Sequence, residues 1–265
     1  MIRHVIGKGK LSVGVVTCLH GNETIGKQAM DMVDAAELPE GIRIVYVVAN
    51  TQAMKMGTRF VSSDCNRSFP GSLNGNTEER LALKILKSLK GCRYVIDVHS
   101  TYATQPDTII VTKPKAMEVA HSIPIKHVLL MGKSMAHGGS LIDNVERGVS
   151  LEFSRSRKPE HVKKVLLKSL SCMLGSPLRM QKELYSVEKV DGDAPPGIRN
   201  FRAIRGRSAK IFAGGMAGRA KTAYPIFVGE KAYRGFHLVA VKAPTASLSM
   251  PDVKTRASKS RLSLR

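Results

Sequence analysis

Hydrophobic positions in the first 175 residues alternate between strand-like runs and helical spacing. Residues 11–19 and 43–50 are mostly β-branched and apolar, which predicts two buried strands. Residues 24–37 between them predict a helix with a threonine cap. Residues 78–89 have apolar positions at helical spacing and precede a strand-like segment at 94–98. The chain therefore begins with β-α-β units.

The alternation continues to a clear change near residue 178. Three further strands are predicted at 108–112, 128–131 and 149–153, followed by a helix at 159–174. This pattern predicts an α/β fold, a mainly parallel sheet with helices on both faces. We assign these elements to one N-terminal domain at 1–178.

Beyond residue 178, short apolar or aromatic runs are broken by Gly and Pro, which predicts a small C-terminal β-rich domain at 179–244. The candidate strands are 185–190, 201–204, 211–212, 226–228 and 236–241. Residues 245–265 have almost no periodic apolar content, and we expect a basic, disordered tail there.

Composition narrows the class of protein. A chain of 265 residues with 43% hydrophobic residues can bury a full core. No run approaches the ~18 apolar residues of a membrane-spanning helix, so we expect a soluble protein without a membrane partner. The four cysteines have no C-x-x-C spacing, which favours reduced thiols and a cytoplasmic location.

Net charge is unusually positive and unevenly distributed. The 42 Lys and Arg residues against 21 Asp and Glu give a formal charge of +21. Residues 1–152 carry 18 basic and 14 acidic side chains, and residues 153–265 carry 24 and 7, which gives +4 and +17. The basic C-terminal part keeps a nucleic-acid or other acidic partner open as an alternative.

Three candidate metal ligands follow predicted strands. His20 and Glu23 come after the strand at 11–19, and His99 closes the strand at 94–98. Ligands of open α/β sheets bind at the carboxyl ends of the strands, so these side chains are expected at one edge. Two histidines and a glutamate with an open fourth position form the ligand set of a catalytic zinc site.

A polar loop between these strands has the composition of an anion-binding surface. This arginine loop, residues 57–71, holds Arg59, Arg67, Asp64 and Asn66. A glutamate in the strand at 149–153 alternates with that strand's apolar residues and must be exposed, paired or functional.

These motifs together resemble the succinylglutamate desuccinylase/aspartoacylase family, which is related in fold to the zinc carboxypeptidases. A C-terminal segment, residues 224–233, also resembles a motif of the family. The resemblance covers roughly residues 11–240. The matching motifs are His20-Gly21-Asn22-Glu23, Gly57-x-Arg59, Asp64-x-Asn66-Arg67-x-Phe69-Pro70-Gly71, Asp97-x-His99-Ser100 and Val149-x-x-Glu152.

The resemblance implies one zinc ion per chain, bound by His20, Glu23 and His99, and a zinc-bound water as nucleophile. Glu152 would act as general base and then general acid, and Arg59 would help to polarise the scissile carbonyl. The implied reaction is hydrolysis of the amide bond of an N-acyl amino acid.

The resemblance also assigns the substrate contacts. Asn66 and Arg67 would bind a substrate carboxylate, Tyr233 would complete the pocket, and Asp64 would support the loop. Aspartoacylase has a tyrosine and an arginine before the catalytic glutamate that bind the amino-acid half. Residues 136–147 offer no such tyrosine and only a loosely placed arginine, so N-acetylaspartate is not assigned as the substrate.

Two other functions stay open at this point. A zinc carboxypeptidase could use the same Asn-Arg pair to bind the terminal carboxylate of a short peptide. A basic, nucleic-acid-binding protein on a hydrolase scaffold would explain the charge, although no helix-turn-helix, RNP-type or zinc-finger pattern is present. The expected partner is a small anionic N-acyl amino acid, and a homo-oligomer is possible.

Overall fold

A mixed sheet is the centre of the protein in the computed structural model, which describes residues 1–132, 135–192, 194, 196–205, 222–228 and 236–242. Within these residues the sheet has eleven strands in the order β1-β3-β2-β4-β7-β5-β6-β8-β11-β10-β9. The strands are β1 (Ile2–Ile6), β2 (Leu11–Thr17), β3 (Ile42–Val48), β4 (Tyr94–Thr101), β5 (Thr108–Val111), β6 (His127–Leu130), β7 (Gly148–Ser154), β8 (Glu183–Asp191), β9 (Ile204–Arg205), β10 (Thr222–Ile226) and β11 (Phe236–Lys242).

The predicted mainly parallel sheet is wrong, because five of the strand pairs in the described ranges are parallel and five are antiparallel. Only residues 102–107 connect β4 to β5, too few for the helical crossover that joins parallel strands. β5 consequently runs antiparallel to its neighbour β7. The added edge strands β1, β9, β10 and β11 are antiparallel as well.

The helices cover both faces of the sheet, as predicted. The side chains of α1, α4 and α5 pack in one core cluster, and those of α3 pack in a second cluster. Short 3-10 helices occur at Ala35–Glu37, Cys65–Arg67 and Pro114–Ala116. The helices are α1 (Ile25–Asp31), α2 (Thr51–Lys55), α3 (Thr77–Leu89), α4 (Met117–Ser122) and α5 (Pro159–Met173).

The helix predicted at 24–37 is shorter than expected. α1 ends at Asp31, and a separate 3-10 helix begins after Asp34, whose carboxylate accepts a hydrogen bond from the Ala36 amide. Thr24 precedes α1 but makes no capping hydrogen bond through its side chain. Asp34 accepts a hydrogen bond from this backbone N–H and begins a separate helix. The spacing of apolar residues does not predict this break.

The first C-terminal strand continues the central sheet. β8 pairs in parallel with β6, and β11 then pairs with β8 over seven residues. The candidate strand at 211–212 and the proposed tail at 245–265 lie outside the described residues. The division into a zinc hydrolase catalytic domain at 1–178 and a β-rich domain at 179–244 that caps the active site, as the resemblance implies, stays a prediction.

Two further observations bear on the expected environment. None of the described helices is both long enough and apolar enough to cross a bilayer. The thiols of Cys18, Cys65, Cys92 and Cys172 are free. They are therefore not paired as disulfides.

Candidate metal and substrate site

Two neighbouring strands bring the three candidate metal ligands to one edge of the sheet. β2 and β4 pair in parallel. His20 and Glu23 follow β2, and His99 lies within β4 because this strand ends at residue 101 rather than 98. One donor atom from each of the three residues lies within 4.8 Å of the others, and all three residues are buried. We call these residues the ligand cluster.

Each imidazole in the ligand cluster faces two carboxylates. Nδ1 of His20 lies 2.9 Å from Glu23 Oε1, and Nδ1 of His99 lies 2.9 Å from Glu23 Oε2. On the outer side, His20 Nε2 is 3.1 Å from Asp64 Oδ1 and His99 Nε2 is 2.7 Å from Asp97 Oδ2. The Nδ1 atoms therefore converge on the glutamate while Asp64 and Asp97 orient the rings.

Charges in the ligand cluster stabilise one another despite burial. Burial alone lowers the pKa of His20 and His99, but the adjacent carboxylates outweigh it and raise both pKa values. Burial likewise raises the pKa of Glu23, but the two imidazoles hold that pKa well below its usual range. A divalent cation that binds here would displace the imidazole protons.

The donor set fits zinc. Two imidazole nitrogens and a carboxylate are the three protein ligands of many catalytic zinc sites. Metal-bound histidines usually donate their second N–H to a carboxylate, as Asp64 and Asp97 are placed to accept here. The buried residues therefore fit the ion that the sequence implied.

The turn that carries His20 is packed tightly against α2. A Cβ atom on Gly21 would lie 2.3 Å from the carbonyl carbon of Ala53, so only glycine fits there without a shift. The Gly21 amide also donates to the Arg59 carbonyl at 3.0 Å. This close approach fixes the end of β2 relative to the arginine loop.

Arg59 lies beside the ligand cluster rather than in open solvent. Its Nη1 donates to Glu23 Oε1 at 3.0 Å, and its Nε donates to Asp64 Oδ2 at 3.2 Å. Asp64 also accepts from the Asn66 amide at 2.9 Å. Asp64 thus connects the arginine loop to the ligand cluster.

A buried glutamate that the sequence analysis missed holds the arginine loop. Glu78, on the first turn of α3, accepts hydrogen bonds from the amides of Val61, Ser62 and Ser63 at 2.7, 2.9 and 3.1 Å. Asn50 Nδ2 donates to it at 3.0 Å. Burial works to raise the pKa of Glu78, but these hydrogen bonds outweigh it and lower the pKa.

The other half of the arginine loop is fixed by residues 136–143, which we call the glycine loop. Asn66 Oδ1 accepts from the Leu141 amide at 2.9 Å, so the Asn66 amide group has a defined orientation. A Cβ atom on Gly139 would lie 2.6 Å from the Arg67 carbonyl oxygen. The Phe69 amide donates to the Gly139 carbonyl at 3.1 Å. The two loops therefore form one packed unit.

A pocket of about 390 Å³ collects most of the predicted site residues. Glu152 lies on β7 directly opposite His99 and lines the pocket together with the ligand cluster. Arg59, Asn66 and Arg67 line it as well, whereas Asp64 stands behind the ligand cluster. Tyr233 lies outside the described residues.

The pocket also contains side chains that the sequence did not single out. Asp143 comes from the glycine loop, Lys189 from β8 and Leu238 from β11. None of these three residues belongs to a motif that the sequence analysis identified, so the sequence did not indicate that they line the pocket. Asp97 did stand in a quoted motif, and its contact with His99 could have been inferred from the two-residue spacing on one face of β4.

Comparison with known proteins identifies similar sequences. The model of the succinylglutamate desuccinylase/aspartoacylase catalytic domain matches residues 10–141. A probable aspartoacylase of Prochlorococcus marinus strain MIT 9313 is 31% identical over 125 residues, which are 42% of this chain and 40% of that protein. A second, from P. marinus subsp. pastoris, is 21% identical over 264 residues, with 83% and 89% coverage. The chain spans less than half of the first relative.

Solved structures share the fold. Murine aminoacylase 3 has a TM-score of 0.68 at 18% identity, with 89% of this chain and 96% of that chain covered. The succinylglutamate desuccinylase of Chromobacterium violaceum has a TM-score of 0.65 at 17% identity, with 90% and 86% covered. At these identities the likeness establishes the fold alone, and the expected zinc-carboxypeptidase-like architecture is confirmed at that level.

Proposed function

Because the chain belongs to the succinylglutamate desuccinylase/aspartoacylase family through residues 10–141, we propose that it is a zinc-dependent hydrolase that removes the acyl group from N-acyl amino acids. The relatives' names, aspartoacylase and succinylglutamate desuccinylase, denote hydrolysis of such amides. The chain covers only 40% and 36% of the first two relatives, so the activity is argued from the site itself.

One observation carries the proposal: the ligand cluster, a strand-borne glutamate and an arginine line the same pocket. His20, Glu23 and His99 would hold the metal. Zinc held by these residues would supply Lewis acidity, which would lower the pKa of a water toward ~7 and polarise a carbonyl. Glu152 lies across from His99 in the register of β4 and β7 and lines the same pocket. This position supports its assignment as the group that transfers the proton of the attacking water.

Protein side chains provide proton transfer, substrate binding and stabilisation of the developing charge. Glu152 accepts the proton of the attacking water and returns it to the leaving amine. Arg67 binds the substrate carboxylate through two parallel hydrogen bonds, and the fixed amide of Asn66 adds a donor from Nδ2. Arg59, held by Glu23 and Asp64, stabilises the charge that develops on the carbonyl oxygen.

Metal content and substrate turnover test the proposal together. We expect about one zinc per purified chain by elemental analysis, and loss of both metal and activity in His99→Ala. His161→Ala is the matched control, since this exposed histidine pairs with Asp107 on the surface. Full zinc content in His99→Ala would overturn the ligand assignment.

The substrate arm of the experiment uses N-acyl amino acids beside short peptides, with released amine read by mass spectrometry. Release from the N-acyl amino acids supports the proposal. Release of C-terminal residues from the peptides alone would replace it with the carboxypeptidase function.

A further inference from the structure

One wall of the pocket carries a buried carboxylate with an unused oxygen. Asp143 is only 7% exposed and lines the pocket with Arg67 and Glu152. Its Oδ2 accepts from Ser140 Oγ at 2.7 Å, and its own amide donates to the same hydroxyl oxygen at 3.2 Å. Within the part of the chain that the structure describes, Asp143 Oδ1 is buried and has no hydrogen-bond partner.

The position of this oxygen is fixed by the loop that carries it. The glycine loop is anchored to Asn66 and packed on the backbone of Arg67, and Ser140 sets the rotation of the carboxylate. The cationic side chain of Arg67 and the anionic side chain of Asp143 are thus held by the two packed loops at the pocket. A buried carboxylate oxygen without a hydrogen-bond donor is costly, so a ligand that supplies a donor to the Asp143 carboxylate gains binding energy.

The structure also removes a competing assignment for the same wall. Arg147 is the loosely placed arginine of residues 136–147, the candidate to bind the amino-acid half of the substrate. It donates instead to Glu118 Oε2 at 2.9 Å and to Glu146 Oε2 at 3.0 Å, and it does not line this pocket. The segment that would carry a cation for an acidic substrate therefore presents a carboxylate.

We propose that Asp143 binds a positively charged side chain of the substrate, so that the preferred substrates are N-acyl derivatives of amino acids that end in an ammonium group. This inference rests on the proposed function. The substrate's α-carboxylate is bound by Arg67, and its ammonium donates to the Asp143 carboxylate. Lys189 lines the same pocket from β8 and is the group that would favour an acidic side chain instead.

Three substrates of similar length separate these possibilities: Nα-acetyl-ornithine with an ammonium, N-acetyl-norvaline with no charge and N-acetyl-glutamate with a carboxylate. We expect kcat/KM for the ornithine derivative to exceed that for norvaline by about 10- to 100-fold, the range of a charged hydrogen bond. Asp143→Asn, which keeps the shape, should abolish the preference. Glu146→Gln, an exposed acid of the same segment, should preserve it.

Calorimetric binding of the same compounds separates this inference from the proposed function. Hydrolysis with no ornithine preference, or a preference that survives in Asp143→Asn, overturns the subsite and leaves the hydrolase standing. Binding with an Asp143-dependent ornithine preference but no hydrolysis supports the subsite and rejects the hydrolase. Absence of both binding and hydrolysis overturns both.

Discussion

Replacing Glu78 by glutamine tests whether a residue outside the pocket controls the arginine loop. The carboxylate accepts four hydrogen bonds, two on each oxygen: Asn50 Nδ2 and the Val61 amide on Oε1, and the Ser62 and Ser63 amides on Oε2. In Glu78→Gln, one oxygen becomes an NH2 group. Whichever way the amide turns, two donors of the protein then face a donor.

The expected loss of stability follows from that count. Hydrogen bonds to charged groups contribute about 1.5–3 kcal/mol each, so two lost bonds predict roughly 3–6 kcal/mol. Glu79→Gln is a matched control on the same helical turn. Among the described residues its carboxylate accepts from the Asn76 amide alone, at 2.7 Å in an exposed capping box. Glutamine keeps an oxygen that can accept this bond, so Glu79→Gln should cost less than about 1 kcal/mol.

Urea unfolding of the two variants measures the difference directly, and zinc content measures its effect on the site. Because the loop carries Arg59 and Asp64, we expect Glu78→Gln to bind metal less tightly than Glu79→Gln does. Equal free energies of unfolding for the two variants would refute the claim that Glu78 holds the loop.

Three further predictions concern chemistry, pH and the tail. Glu152→Gln should keep zinc but lose orders of magnitude in kcat, while Arg67→Ala should act mainly on KM, and steady-state kinetics separate the two. Burial raises the pKa of Glu183, but its three hydrogen-bonded partners lower it from 4.5 to about 2. Both lysine partners are half exposed, so solvent screening limits the contribution of Glu183 to about 1 kcal/mol. This contribution is present above pH 4.5 and is lost as the pH falls toward 2, so thermal unfolding of Glu183→Gln should converge on wild type at low pH. Deletion of residues 247–265 removes a local charge of +4, five basic residues minus one acidic, and should leave kcat and the melting temperature unchanged.

The sequence predicts the ligand cluster because the rule that places it is local. Parallel strands end at one edge, so polar residues that follow β2 and β4 must approach one another. The same logic places Glu152 next to His99 once β7 is known to follow β4 in the sheet. These assignments need only strand identity and direction.

Other features depend on packing between distant segments and were therefore missed. Nothing near Glu78 in the sequence indicates that it binds the loop at 61–63, and Asp143 is a polar residue in a polar loop until the fold buries it. The reversed direction of β5 did have a signal, because the nine residues between the predicted strands at 94–98 and 108–112 are too few for a helical crossover. The prediction of a mainly parallel sheet rested on the alternation of strands and helices instead.

Chain order has a consequence for how the protein folds during synthesis. The ligand cluster is complete within the first 99 residues, on two strands that pair directly. The pocket that surrounds it also needs Lys189 and Leu238, which are made much later. Domains fold as units during synthesis. Because one sheet carries both the ligand cluster and Leu238, we expect the proposed metal site and the substrate pocket to form together, once β11 has been made.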